Sequence, residues 1–244
     1  DRFDAIARGA EAAALDGALA QALRLADQAI EVAATLPPSS AAGKAHLVLA
    51  RVLHALGRLP GSLDAATKAL RLATALGDRR LSVQASAARA LVTKEGDDPA
   101  AAYAAFLDVR AARRALDDAY GLARDELECF LAARRLGRGD DARAHLVAAH
   151  ELAGRVGSLG LELRVEAGRA LGGLADAAAV RERLERDQSR LAPLHAVAAW
   201  WWVAQGGGGV AAEQRAREAL DHLVAGAPPE DRDTLVSQIA LHRE

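Results

Sequence analysis

Apolar residues recur at three- and four-residue intervals through most of this chain, and short breaks bearing glycine, aspartate, serine or proline interrupt them. Around Gly57 the pattern is clearest: Leu47, Leu49, Ala50, Val52, Leu53 and Leu56 precede the glycine, and Leu63, Ala66, Ala69, Leu70, Leu72 and Ala73 follow it. Each set covers one face of a helix, so the break predicts two antiparallel helices joined by a short turn. Equivalent turn residues stand at Gly17, Gly57, Asp97 (beside Gly96), Gly137, Gly172 and Gly207, spaced by 40, 40, 40, 35 and 35. Five positions after each comes Ala22, Ser62, Ala102, Ala142, Ala177 or Ala212, and twelve after each comes Ala29, Ala69, Val109, Ala149, Leu184 or Ala219. Small residues at those two offsets are what a close approach of the paired helices requires, and a repeat of this length marks a paired-helix solenoid.

Helices are expected over 3–14, 18–36, 41–57, 61–76, 80–95, 99–116, 120–136, 139–156, 159–171, 175–190, 193–205, 209–225 and 229–242. The punctuation agrees. Pro37-Pro38-Ser39-Ser40 ends one helix and caps the next, Gly77-Asp78 combines a C-cap with a following aspartate, and Asp98-Pro99 is an N-cap followed by a helix-starting proline. Asp117-Asp118 and Gly157-Ser158 repeat the Gly77 break 40 and 80 residues later. The chain reads as all-α, a single domain over 1–244 with repeats at about 1–38, 39–78, 79–118, 119–158, 159–191 and 192–226 and a C-terminal helix over 227–244.

Composition strengthens the helical reading. The 51% apolar content is mostly alanine and leucine, aromatics are 3%, and 26% charged residues carry a net charge of −2. That balance excludes nucleic acid as the expected partner. No apolar run is long enough for a membrane span, and one cysteine rules out an internal disulfide. A cytoplasmic, non-membrane protein is expected. With no methionine and a start at Asp1, the sequence reads as an excised piece of a larger multidomain protein.

The units resemble tetratricopeptide repeats, which carry a small residue seven positions before the turn glycine and alanines five and twelve after it. Ala50-Gly57-Ser62-Ala69 and Ala10-Gly17-Ala22-Ala29 match closely. The family's first-helix tryptophan and tyrosine are aliphatic here, and Asp97, Phe130 and Trp200 replace glycine or a small residue. The longer spacing is similar to repeats attached to bacterial maltose-regulator-like transcription regulators, signalling ATPases and multidomain kinases. The resemblance implies a right-handed solenoid of about six hairpins plus a C-terminal helix. It also implies a non-catalytic sensor or interaction module that binds a protein or peptide, an acidic segment being the matching chemistry. The alternative is an intramolecular scaffold that positions or inhibits a neighbouring catalytic domain.

Transferred to this chain, the family's groove positions give the candidate site Lys44, Arg51, His54, Gln84, Lys94, Arg124, Arg134 and Trp201. Those charges either line a groove or keep an alanine-rich surface soluble. Trp200-Trp201-Trp202 spans about 200° of one helical turn, so at least one ring is expected outside the core. Cys129 falls where Leu49 stands in the second unit and is expected to be buried and inert. His145 and His150 point to different faces, His46 and His54 are two turns apart, and neither pair suggests a metal site. Gly206-Gly207-Gly208-Gly209 lacks the lysine and hydroxyl of a phosphate loop, and Asp117-Asp118 and Asp140-Asp141 read as caps. No catalytic residue, metal or cofactor is expected.

Overall fold

Local periodicity decides the elements, and the structure, a computed structural model, places them where the breaks fall. It describes residues 2–36 and 39–238. Among these are thirteen α-helices: α1 Arg2–Leu15, α2 Leu19–Ala34, α3 Ser40–Ala55, α4 Leu59–Ala75, α5 Arg79–Lys94, α6 Pro99–Arg114, α7 Ala119–Arg135, α8 Gly139–Val156, α9 Leu159–Leu171, α10 Ala177–Arg186, α11 Pro193–Val203, α12 Gly209–Gly226 and α13 Arg232–Gln238. Successive helices pack together from α1 to α5 and from α6 to α11, and the fold is an all-α helical-repeat solenoid.

The chain divides into two compact units. The first comprises residues 1–97 with 222–244, and the second comprises residues 98–221. The division falls at the Asp97 turn, so the third expected repeat contributes α5 to one unit and α6 to the other.

Small residues form the seams. All six residues five positions after the turns are buried, as are Ala29, Ala69, Val109, Ala149 and Leu184 at the twelfth; Ala219 is half-buried. In the first unit Leu47, Ala50, Ala65, Ala66, Ala69, Ala73, Leu81, Ala85 and Ala88 make one apolar cluster. Ser62, the one hydroxyl at its repeat position, donates to the Ala50 carbonyl at 2.8 Å, which satisfies it without water.

Turns and caps follow their chemistry. Gly17, Gly57, Gly77, Gly137 and Gly157 take the left-handed conformation, as does Asp117 at φ 53°. Ser39, Asp78, Asp98 and Asp118 accept hydrogen bonds from the first turns of α3, α5, α6 and α7. In the fifth repeat the left-handed residue is Gly173, while Gly172 stays at φ −84°. This turn runs on to an N-cap at Asp176, and α10 ends at Arg186, before a 3₁₀ turn over Gln188–Arg190. After α11, Ala204–Gly208 widen into a π-type turn, with Gly207 at φ 103°. The expected 229–242 helix begins as a 3₁₀ turn, Pro229–Asp231, before α13. Its last residues and the Pro37-Pro38 break lie outside the described residues.

Within the first unit, the C-terminal segment covers the first two hairpin turns. His222 Nε2 lies 3.1 Å from the Asp16 carbonyl oxygen, and Leu223 and Leu235 are fully buried. Arg58 donates through Nε and Nη2 to Asp231 at 2.5 and 2.7 Å. A Cβ at Gly57 would come within 2.6 Å of the Thr234 carbonyl oxygen, so that turn needs glycine for both its conformation and this contact.

Candidate functional site

Five of the expected site residues stand on α3 and α5 in the first unit. Lys44 is exposed, and Arg51, His54, Gln84 and Lys94 are half-buried. Several are engaged by carboxylates. Arg51 pairs with Glu11, His54 Nε2 lies 3.1 Å from Oε1 of the buried Glu95, and Lys94 Nζ is 3.8 Å from the same oxygen. The basic charge that α3 and α5 present is therefore partly neutralised by α1 and by the end of α5.

The other three stand in the second unit. Arg124 is half-buried and Arg134 exposed on α7, while Trp201 is half-buried on α11. Trp200 and Trp202 point into the core, so the three consecutive rings divide as helical geometry demands. Cys129 is fully buried, and burial pushes its thiol up to about 12. Asp118 caps α7, and Asp141 pairs with Arg138 in the first turn of α8. Among the described residues no group of three or more histidines, cysteines or carboxylates could hold a metal ion. None of their helices is long and apolar enough to cross a membrane.

Sequence reasoning missed a buried polar seam between α6, α7 and α8. Arg113 donates to Asp125 and, at 2.5 Å, to Asp118. Forty residues earlier, the places of Arg113 and Asp125 are held by Ala73 and Ala85, both in the apolar cluster of the first unit. Gly121 stands where Leu81 does, and a Cβ on it would come 2.2 Å from Arg113 Nη1. The guanidinium thus occupies space that a leucine fills in the earlier repeat. Beside it the fully buried Glu126 receives His145 Nδ1 at 2.6 Å and Arg110 and Arg114 at 3.3 Å each. His145 Nε2 lies 3.0 Å from the Tyr103 hydroxyl, whose ring carries the Arg138 guanidinium 4.8 Å from its centre. Burial raises the Tyr103 phenol above its ordinary value, the opposite of activation as a nucleophile, so this chain of bonds ties three helices together. The available signal was charge at positions that are apolar one period earlier.

A second missed group lies on α7, α9 and α11. Arg164 on α9 is only 7% exposed, and its Nε has no hydrogen-bond partner among the described residues. Its Nη2 is 4.0 Å from Glu128. Desolvation first, then the neighbouring Arg124 charge, lower it to about 10. His195 on α11 is lowered well below the ordinary histidine value by desolvation and by the charges of Arg164 and Arg124. Two residues before Arg164, Glu162 pairs with Arg183 at 3.1 Å.

No family model and no curated protein matches the sequence. By structure the chain is similar to a Rap protein solved in complex with Competence and Sporulation Factor, with a TM-score of 0.72 over 96% of this chain and 67% of that one, at 15% identity. Helix order, small-residue seams and this likeness together give the chain a tetratricopeptide-like helical-repeat fold.

Proposed function

We propose that this chain is a non-catalytic module of a bacterial regulatory or signalling protein, and that it binds a peptide or protein segment on the faces of its first helices. The observation that supports this most is the likeness to the Rap protein over 96% of the chain, that protein having been solved with a bound factor. Lys44 and Arg134, which are exposed, and the half-buried Arg51, His54, Gln84, Lys94, Arg124 and Trp201 are the side chains assigned to that role. Arginine and lysine there favour an acidic segment, and a half-buried tryptophan adds apolar contact. No cofactor is assigned. Charge reversal at Arg51 and Arg134 tests the reading. The double variant should lose a partner that the parent captures from the source cell, identified by mass spectrometry and remade as a synthetic peptide, while its circular dichroism stays unchanged. Equal binding by both proteins would overturn it.

A second reading, an intramolecular scaffold that positions or inhibits a neighbouring catalytic domain, is favoured by one observation. Glu11 and Glu95 already engage Arg51, His54 and Lys94, so part of the basic charge is spent within the chain.

A further inference from the structure

Helix α9 packs close to α7 at Gly168, where a Cβ would come 2.7 Å from Leu127 Cδ1. One turn before Gly168 stands Arg164, and one turn before Leu127 stands Arg124, so the close approach draws two guanidinium groups toward each other. Helix α11 packs on α9 and adds the half-buried residue His195. Among the described residues, the charged and titratable groups facing this cluster include Arg124, Asp125, Glu128 and Tyr120 from α7, Arg164 from α9 and His195 from α11. Glu128 lies 4.0 Å from Arg164 Nη2, a separation that relieves charge without making a hydrogen bond. A buried cation with an unpartnered N–H is costly unless an acceptor meets it.

We propose that Arg164, Arg124 and His195 form a binding site for a carboxylate carried by the ligand peptide, with the unpartnered Nε–H of Arg164 as its anchor. A carboxylate supplies the missing acceptor and matches the planar two-donor geometry of a guanidinium. The same logic couples binding to pH. A bound carboxylate offsets the repulsion that keeps His195 neutral, so binding raises the imidazole toward protonation, and affinity increases as pH falls while the carboxylate stays ionised. The peptide as the source of the carboxylate rests on the function proposed above; the oxyanion site does not.

Nuclear magnetic resonance of the whole chain tests this, following the Arg164 Nε–H and the His195 ring. Sodium acetate, sodium chloride at matched ionic strength, hexa-alanine with a free C-terminus and hexa-alanine amide are the titrants. Acetate should move both resonances saturably and raise the His195 midpoint, chloride should not, and the free-ended peptide should saturate at a concentration at least tenfold below that of its amide. Arg164→Gln should remove the response. Arg124→Gln, at a half-buried position, should weaken acetate at least threefold with unchanged circular dichroism. Equal shifts from chloride, or parent-like acetate binding by a folded Arg124→Gln variant, would falsify the site. Saturable acetate binding with no preference for the free-ended peptide keeps the site and removes the peptide from it. Partner capture unaffected by Arg164→Gln keeps the proposed function and removes the peptide from this site.

Discussion

At Cys129 and Asp125, four residues apart on α7, burial acts on two acids with different outcomes. The thiol, pushed up to about 12, stays protonated at neutral pH, and native protein should react with a thiol reagent orders of magnitude more slowly than denatured protein. Labelling at equal rates would place the residue at the surface. Asp125 is raised from 3.8 to about 6, desolvation outweighing the Arg113 charge and hydrogen bond. Its folded value lies above its unfolded one. The stability linked to its proton is therefore fully present below about pH 4 and lost as pH rises through about 6, by about 2 to 3 kcal/mol. Asp125→Asn should flatten that part of the stability curve in urea denaturation at pH 4 to 7, and an unchanged slope would assign it to another group. Cys129 was legible in the sequence because it replaces a repeat leucine. Asp125 was not, because a charged residue in a helix reads as solvated unless its partner Arg113, twelve positions earlier, is known to face it.

Helix pairs carry the repeat, and their seams were legible because periodicity is local: one turn residue, one small residue and one more suffice to place two helices. Ala69→Leu and Ala149→Leu, both at fully buried sites, should each cost about 1 to 3 kcal/mol by overpacking, read as a lower melting temperature. The α6–α7 seam obeys a different rule. Gly121→Ala should cost about 3 to 5 kcal/mol, the range for a buried ion pair broken from one side, because the new methyl displaces Arg113. Replacing the layer as a whole should behave in the opposite way. Arg113→Ala, Gly121→Leu and Asp125→Ala together restore the Ala73, Leu81 and Ala85 arrangement of the earlier repeat, and such an exchange is expected to be neutral or stabilising by about 1 to 4 kcal/mol. A triple variant less stable than Gly121→Ala would show that the two seams are not equivalent. The shift by one period that exposes this substitution can be read from sequence, but only once the helix faces are known. Arg164 and His195 escaped for a related reason: the fifth turn uses Gly173 in place of Gly172, which shifts the register there.

Over the whole molecule, the first unit is assembled from residues far apart in the chain, with the Arg58–Asp231 pair joining positions 173 residues apart. No periodic signal links such positions, so the sequence showed the helices but not this closure. Asp231 is 4% exposed, and Asp231→Asn should cost about 2 kcal/mol or more by leaving Arg58 poorly balanced. Hydrogen exchange would locate the effect, with faster exchange expected in 222–238 and at the Gly17 and Gly57 turns and parent-like exchange in α7 and α8. The closure also sets an order of events during synthesis. Residues 98–221 must leave the ribosome before the segment that covers those turns, a delay of about 6 to 25 s at 5–20 residues per second. The part of the chain made first is thus completed last, and the nascent N-terminal hairpins wait through that interval with Gly17, Gly57 and Arg58 lacking their native cover.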